Sequence, residues 1–159
     1  MREAASKIAP LEVVRERVAE ARRAGRTIAL ANGCFDLLHV GHARYLAGAK
    51  AEGDVLVVAV NGDASVRRLK GPGRPVLPAA DRAVLVASFR AVDHVLVFEE
   101  DDVSSVLLAL KPDVHCKGTD YTADTVPERE VVRSYGGRVA IVGDPKDHDT
   151  RALLSRIRS

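Results

Sequence analysis

The sequence has no tryptophan, few cysteines and no long apolar run. Two cysteines, Cys34 and Cys116, stand among 159 residues, and the N-terminus has no apolar, signal-like segment. We therefore expect a protein of the reducing cytoplasm. No apolar stretch approaches the ~20 residues that a membrane helix needs, so we expect no membrane partner.

The sequence also lacks an excess of charge of either sign. The 24 basic side chains are nearly matched by 22 acidic ones, for a net charge of +2. Three phenylalanines and three tyrosines are few for stacking on bases. Balanced charge and scarce aromatic residues argue against a nucleic-acid-binding protein.

Apolar, β-branched segments recur along the chain, separated by helical patterns. They predict strands at 28–31, 55–60, 95–98, 114–116 and 139–142. Helical spacing predicts helices at 10–23, 43–51, 80–90, 103–110, 127–135 and 152–157. This alternation predicts an α/β fold: a doubly wound, Rossmann-like five-stranded parallel sheet with helices on both faces. We expect one domain, 1–159, on which an N-terminal helix within 1–25 packs.

The stretch 31–42 joins the first predicted strand to a helix. It contains Gly33, Gly41 and two histidines, His39 and His42. A helix start carries partial positive charge and unpaired N–H groups, and glycines allow close approach, so this junction fits a phosphate. Two histidines three residues apart also fit a metal, although Asp36 is the one other obvious ligand nearby. On spacing alone the histidines could also be ordinary loop residues.

The motif His39-x-Gly41-His42 resembles the signature of the nucleotidyltransferase superfamily, which includes the cytidylyltransferases and several adenylyltransferases. Further segments resemble the adenylyltransferase domain of the ADP-heptose synthase family, in order from residue 27 onward: 32–36, 60–65, 68–71, 74–76 and 114–121. The resemblance implies transfer of AMP from ATP to D-glycero-β-D-manno-heptose 1-phosphate. The products would be ADP-heptose and pyrophosphate. It also implies Mg²⁺ that is held mainly by the phosphates, with no protein side chain assigned as its ligand.

The resemblance and the positions of the residues in the predicted fold together predict a role for each candidate. The catalytic residues would be His39, His42, Lys70 and Arg82. The nucleotide would be bound by Gly33, Cys34, Phe35, His39, Gly41, His42, Asn61, Asp63, Arg82, Asp120, Thr150 and Arg151. The sugar phosphate would be bound by Asp36, Lys70, Arg74, Lys117 and Tyr121.

Some of these assignments also have a physical argument. Arg82 lies near the start of a predicted helix, where a cation is disfavoured unless it has an anionic partner. Direct attack at the α-phosphate needs no covalent intermediate, so we interpret Cys34 as a wall of the pocket and not a nucleophile. Cys116 is predicted to be core. The Gly/Pro-rich loop 71–78 is predicted to be mobile until Lys70 and Arg74 meet phosphate.

The C-terminal motif departs from the family. Relatives carry Ser-Thr-Thr at the start of the last helix, whereas this chain has Asp149-Thr150-Arg151. Thr150 keeps one hydroxyl, and Arg151 could replace another with a bidentate phosphate contact. We expect Asp149 to cap the helix or to face magnesium or its water ligands.

Two alternatives remain open. The chain could be a cytidylyltransferase for glycerol-phosphate or another small phosphate, because no motif fixes the base. The altered C-terminal motif also allows a non-catalytic nucleotide-binding module. We expect a homodimer, the default for soluble enzymes.

Overall fold

A five-stranded, all-parallel sheet forms the centre of the computed structural model, which describes residues 1–145 and 150–158. The strands are β1 (Ile28–Gly33), β2 (Val55–Asn61), β3 (His94–Phe98), β4 (Val114–Lys117) and β5 (Arg138–Ile141). Their order across the sheet is β3-β2-β1-β4-β5. All five predicted strands are present, and the predicted doubly wound α/β fold is confirmed.

The described helices are α1 (Arg2–Lys7), α2 (Leu11–Arg23), α3 (Val40–Ala51), α4 (Asp63–Lys70), α5 (Ala79–Ala87), α6 (Ser104–Leu110), α7 (Arg129–Ser134) and α8 (Thr150–Arg158). Two of them, α1 and α4, were not predicted. The polar α4 buries only Ser65 and Val66, so its sequence has almost no apolar stripe to reveal it.

The central strands are buried on both faces. Ala29 and Ala31 of β1 belong to one apolar cluster, with residues of α1, α3 and α5. Ile28 and Leu30 point to the other cluster, with residues of α2, α6 and α7. The alternation follows from the two-residue period of a strand, and covered faces explain why the strands are continuous apolar runs.

The N-terminal segment is attached to the β3 edge of the sheet. In α2, Val14 and Val18 are buried against the second cluster, which agrees with the predicted amphipathic helix. Between α1 and α2, Ile8 forms a bridge to Val95, and Ala9 N–H donates to the Val95 carbonyl at 3.0 Å.

The pairing between strands differs in length across the sheet. β1 pairs with β2 from Ile28 to Gly33, but with β4 only from Ala29 to Ala31. The chain runs outward from β1 to β3 on one side and from β4 to β5 on the other, so the strand order reverses between β1 and β4. In such sheets, ligands bind outside the carboxyl ends of the strands at this reversal. No helix in the described ranges is both long and apolar enough to cross a membrane.

Candidate functional site

A cavity of about 710 Å³ opens at the carboxyl edge of the sheet, where β1 and β4 meet. Residues from the segments after all five strands line it, together with Thr150 and Arg151 at the start of α8. The apolar strands end at this edge, and polar loops follow them. The cavity therefore lies where the fold predicts a ligand.

His39 and His42 lie side by side at the start of α3, with ring centroids 4.0 Å apart. His39 Nδ1 accepts the Gly41 N–H at 3.1 Å, and His42 Nδ1 accepts the His39 N–H at 3.3 Å. Because Nδ1 is an acceptor in both rings, the proton of each neutral ring is on Nε2. The backbone thus fixes both tautomers with Nε2–H as the donor.

Phe35 packs against His42 of this pair. It is buried and has a left-handed backbone conformation with φ +49°, which is uncommon for a residue with a side chain. Its ring centroid is 5.4 Å from that of His42. A Cβ at Gly33 would lie 3.2 Å from Phe35 Cε2, so Gly33 makes room for the ring that positions His42.

Asp36 is buried and anchors the Gly/Pro-rich loop 71–78. Its side chain is 1% exposed; Oδ2 accepts from Arg74 Nε at 2.6 Å, and Oδ1 accepts the N–H groups of Val76 and Leu77 at 2.8 and 3.0 Å. The substrate role assigned from the sequence differs from this contact set, in which both oxygens already have donors. These contacts fasten residues 74–77 of the loop to Asp36; the mobility of loop 71–78 stays a prediction.

Arg82 makes contacts within the protein that its sequence-based role did not include. Its side chain is fully buried and does not line the cavity. It donates to the carbonyls of Leu77, Cys34 and Asn61 at 2.6–2.9 Å and to Asp63 Oδ1 at 2.7 Å. The anionic partner that its position requires is the protein's own Asp63. Arg82 therefore ties three segments around the cavity to each other.

The two polar residues after β2 have different environments. Asn61 lines the cavity, and its Nδ2 donates to Ser65 Oγ at 3.0 Å. Asp63 does not line it; besides pairing with Arg82, it accepts the N–H of Ala79, the first residue of α5, at 2.8 Å. Asp63 thus caps a helix and forms an ion pair, and its nucleotide contact stays a prediction.

Lys117 and Tyr121 lie on the β4 side of the cavity. Lys117 Nζ is 4.8 Å from the centroid of the Tyr121 ring and 3.8 Å from Glu128 Oε2. Burial lowers the pKa of Lys117, and the Glu128 carboxylate opposes that shift in part. Asp120 lines the same side.

The thiols give no sign of a nucleophile. Burial raises the pKa of Cys34, although the nearby cations Lys70, Arg82 and Arg74 oppose the shift. A thiol with a raised pKa is a poor nucleophile at neutral pH. Cys116 is fully buried, as predicted, and burial raises its pKa to about 12.

The cavity brings together the predicted residues with two exceptions, Asp63 and Arg82. Asp149 lies outside the described residues. Sequence reasoning missed Tyr45, whose hydroxyl donates to the Cys116 carbonyl at 2.8 Å and so holds α3 to β4. It also missed Arg44, which pairs with Asp144 at 3.2 Å, and Glu128. Arg44 and Tyr45 follow the histidine motif within one helical turn, a signal that could have found them; Glu128 has no such signal.

Comparison with known proteins gives matches over nearly all of the chain. A family model described as cytidylyltransferase-like matches residues 30–155. Bifunctional protein HldE of Syntrophotalea carbinolica is 45% identical over 152 residues, which are 96% of this chain and 31% of that protein. Bifunctional protein HldE of Acidiphilium cryptum is 50% identical over 151 residues, 92% of this chain and 31% of that protein. The chain thus spans about a third of the length of these curated relatives.

Solved structures match the fold. The lipopolysaccharide core biosynthesis protein from Thermoplasma volcanium has a TM-score of 0.67 and 27% identity, covering 77% of this chain and all of that one. Pantoate-beta-alanine ligase from Francisella tularensis has a TM-score of 0.59 at 15% identity, covering 90% of this chain and 68% of that one. The second likeness bears on the fold alone.

Proposed function

We propose, from the premise that the chain belongs to the cytidylyltransferase-like family, that it transfers the nucleoside monophosphate part of an NTP to a sugar 1-phosphate. The observation that carries the proposal is the pair His39 and His42, whose Nε2–H donors sit at a helix start beside a cavity of about 710 Å³. Such donors stabilise charge that develops on a phosphoryl group.

The preferred substrates are ATP and D-glycero-β-D-manno-heptose 1-phosphate, with ADP-heptose and pyrophosphate as products. Support comes from the sequence resemblance in segments 32–36 and 114–121, both of which contribute to the cavity, and from relatives that match up to 98% of the chain. CTP with a small phosphate is the alternative, which a panel of nucleotides separates from the first.

The reaction is an in-line displacement at the α-phosphorus. An oxygen of the sugar phosphate forms the new P–O bond, the bond to the β-phosphate breaks, and pyrophosphate leaves. No general base is needed, because a sugar phosphate is ionised at pH 7. The protein's task is to position the two anions and to stabilise charge. His39 passes the polarisation of the Gly41 N–H to the phosphate through its ring.

The remaining cations surround the same space. Lys70, the last residue of α4, and Arg74, in the loop 71–78, line it, and Thr150 and Arg151 line it from the start of α8. Helix starts suit the β- and γ-phosphates because their N–H groups and dipole favour anions. Arg74 is already oriented by Asp36 at 2.6 Å, so it loses little freedom when an anion binds.

Mg²⁺ fits this arrangement as an ion held mainly by the phosphates, where it neutralises charge on the leaving group. Within residues 1–145 and 150–158, no group of three or more His, Cys, Asp or Glu could hold a metal by itself. Asp101, Asp102 and Asp144 line the cavity, and their oxygens can accept hydrogen bonds from the ion's water ligands.

The decisive experiment measures pyrophosphate release by the purified chain with Mg²⁺, the four NTPs and a panel of sugar 1-phosphates. Release with ATP and the heptose phosphate supports the proposal, whereas binding without release with any pair supports the non-catalytic alternative. His39→Ala and His42→Ala should each lower turnover by about 10²–10³, the usual cost of losing one preorganised donor. His94→Gln, at the opposite end of the sheet in β3, is the control and should retain activity.

A cytoplasmic homodimer completes the proposal. Two free thiols in the described ranges suit a reducing compartment, and closed two-fold dimers are the commonest assembly of such proteins. Sedimentation equilibrium with and without NTP tests the assembly.

A further inference from the structure

Glu128 is a buried carboxylate on the wall of the cavity. Its side chain is 6% exposed, and it lines the cavity beside Lys117. Among the residues that the structure describes, Glu128 Oε2 has no hydrogen-bond partner. The Lys117 ammonium is 3.8 Å away, which is close enough for an ion pair but too long for a hydrogen bond.

Hydrogen bonds within the described part of the protein do not satisfy Glu128 Oε2. Although Glu128 directly precedes α7, its side chain makes no capping hydrogen bond there. Burying a carboxylate is costly unless donors satisfy its oxygens. By contrast, the Glu130 side chain is 70% exposed and receives a hydrogen bond from Arg133 at 3.0 Å. Glu128 thus has the properties of a group whose missing donor arrives with a ligand.

The chemistry of that ligand group follows from the two charges. A phosphate is excluded next to Glu128 because two anions repel. A second cation is disfavoured by the ammonium of Lys117 at 3.8 Å. An uncharged hydroxyl satisfies both neighbours, since it donates a hydrogen bond to the carboxylate and accepts one from Lys117.

We propose that Glu128 and Lys117 form a subsite that binds a sugar hydroxyl of a substrate. The inference rests on the proposed function, in which both substrates carry a sugar: ribose in the nucleotide and the sugar of the acceptor. Lys117, assigned from the sequence to phosphate, then acts on a neutral group. The Tyr121 ring, 4.8 Å from Nζ, provides an apolar wall against which a sugar ring can pack.

The test is a set of calorimetric titrations with Mg²⁺ present. The ligands are a non-hydrolysable ATP analogue, its 2′-deoxy and 3′-deoxy forms, heptose 1-phosphate and inorganic phosphate. They are titrated into the wild-type chain, Glu128→Ala and the isosteric Glu128→Gln. Glu130→Ala, which removes an exposed carboxylate of the same segment, is the matched control. Circular dichroism establishes that each variant is folded; if the alanine variant is not, the glutamine variant carries the test.

Loss of a hydrogen bond to a charged group should weaken binding about 10- to 100-fold. If ribose is the source, Glu128→Ala weakens the ATP analogue and no longer distinguishes it from one deoxy form. If the acceptor is the source, heptose 1-phosphate weakens while inorganic phosphate does not. Unchanged affinity for both sugar-bearing ligands, or equal weakening of the deoxy forms and of inorganic phosphate, would overturn the subsite. Failure of the proposed function is separate, since it appears as absence of pyrophosphate release by the wild-type chain.

Discussion

Replacing Arg82 by methionine should lower the free energy of unfolding more than it lowers the affinity for any ligand. The guanidinium donates to three backbone carbonyls and to the Asp63 carboxylate, and its side chain is fully buried. Methionine fills similar space but offers no donor. The carbonyls of Cys34, Asn61 and Leu77 then lose a partner in a site with little access to water.

The expected cost is about 3–5 kcal/mol, since each of the three carbonyls left without a donor costs about 1–3 kcal/mol and water regains part of that loss. Most of it comes from the carbonyls, because the Asp63 side chain is 42% exposed and regains water once Arg82 is gone. Arg82→Lys keeps the charge but not the fork of donors, so it should recover only part of the loss. Arg68→Met is the control: Arg68 also pairs with an aspartate, Asp101, but its side chain is 51% exposed, and its loss should cost less than about 1 kcal/mol.

Urea unfolding followed by circular dichroism gives the stability, and titration of the folded variant with an ATP analogue gives the binding. We expect a large shift of the unfolding midpoint with a secondary loss of affinity. A variant that unfolds like the wild type within 1 kcal/mol, yet binds the nucleotide far more weakly, would refute this reasoning and return Arg82 to the role of a direct ligand contact.

Three further predictions concern the loop, the last helix and pH. Asp36→Asn weakens the hold on residues 74–77, so limited proteolysis within 71–78 should become faster and the KM for the acceptor should rise; unchanged cleavage would contradict the anchoring role. Arg151→Ala should weaken NTP binding by about 1.5–3 kcal/mol and Thr150→Ala by about 0.5–1.5, and equal titration curves for Arg151→Ala and the wild type would show that the altered motif does not bind phosphate. Burial lowers the pKa of His115 to about 3 from 6.5. Between these two pH values the unfolded state binds more protons than the folded state. The free energy of unfolding is therefore highest above pH 6.5 and falls as the pH drops below it. The His115 share of that loss is about 2 kcal/mol between pH 7 and pH 5, and His115→Gln should show a correspondingly flatter dependence in denaturant titrations at the two pH values.

The central strands could be predicted because they are buried on both faces. The strand 55–60 is a continuous run of apolar residues. Such a run has no periodicity that separates a strand from a helix, but it clearly indicates a buried segment. Helix α4 could not be predicted in the same way, since its stability comes from long-range contacts. Ser65 Oγ donates to the Glu100 carbonyl at 2.9 Å, a partner on another loop that no local pattern reveals.

The site was predictable where chemistry is local and not where it is tertiary. His39 and His42 make their backbone contacts within four residues of each other, so the motif carries its own geometry. The role of Asp36 depends on Arg74, 38 positions away along the chain, and that of Arg82 depends on partners 5 to 48 positions away. The sequence correctly indicated that Arg82 needs an anion near a helix start, but only the fold identifies that anion as Asp63.

Glu128 illustrates the remaining limit. The segment 126–133 has glutamates at 128 and 130 in a polar helical pattern, and nothing local distinguishes the buried one from the exposed one. The difference arises from the loop that carries Glu128 over the end of β4. Sequence patterns predict which face of an element is covered, but not which polar side chain a loop places over a cavity.

The short ladder between β1 and β4 has a mechanical consequence. Only Ala29 to Ala31 pair across it, so the sheet has a narrow seam between its two halves, and the cavity lies directly above that seam. In the proposed function, a nucleotide contacts His39, which follows β1, and the start of α8, which follows β5, and so links the two halves of the sheet. Part of its binding free energy then resists separation of the halves, and saturation at about 100 times Kd adds about 2.7 kcal/mol against unfolding. Under the proposed function, the substrate thus acts as a reversible cross-link between the two halves of the protein.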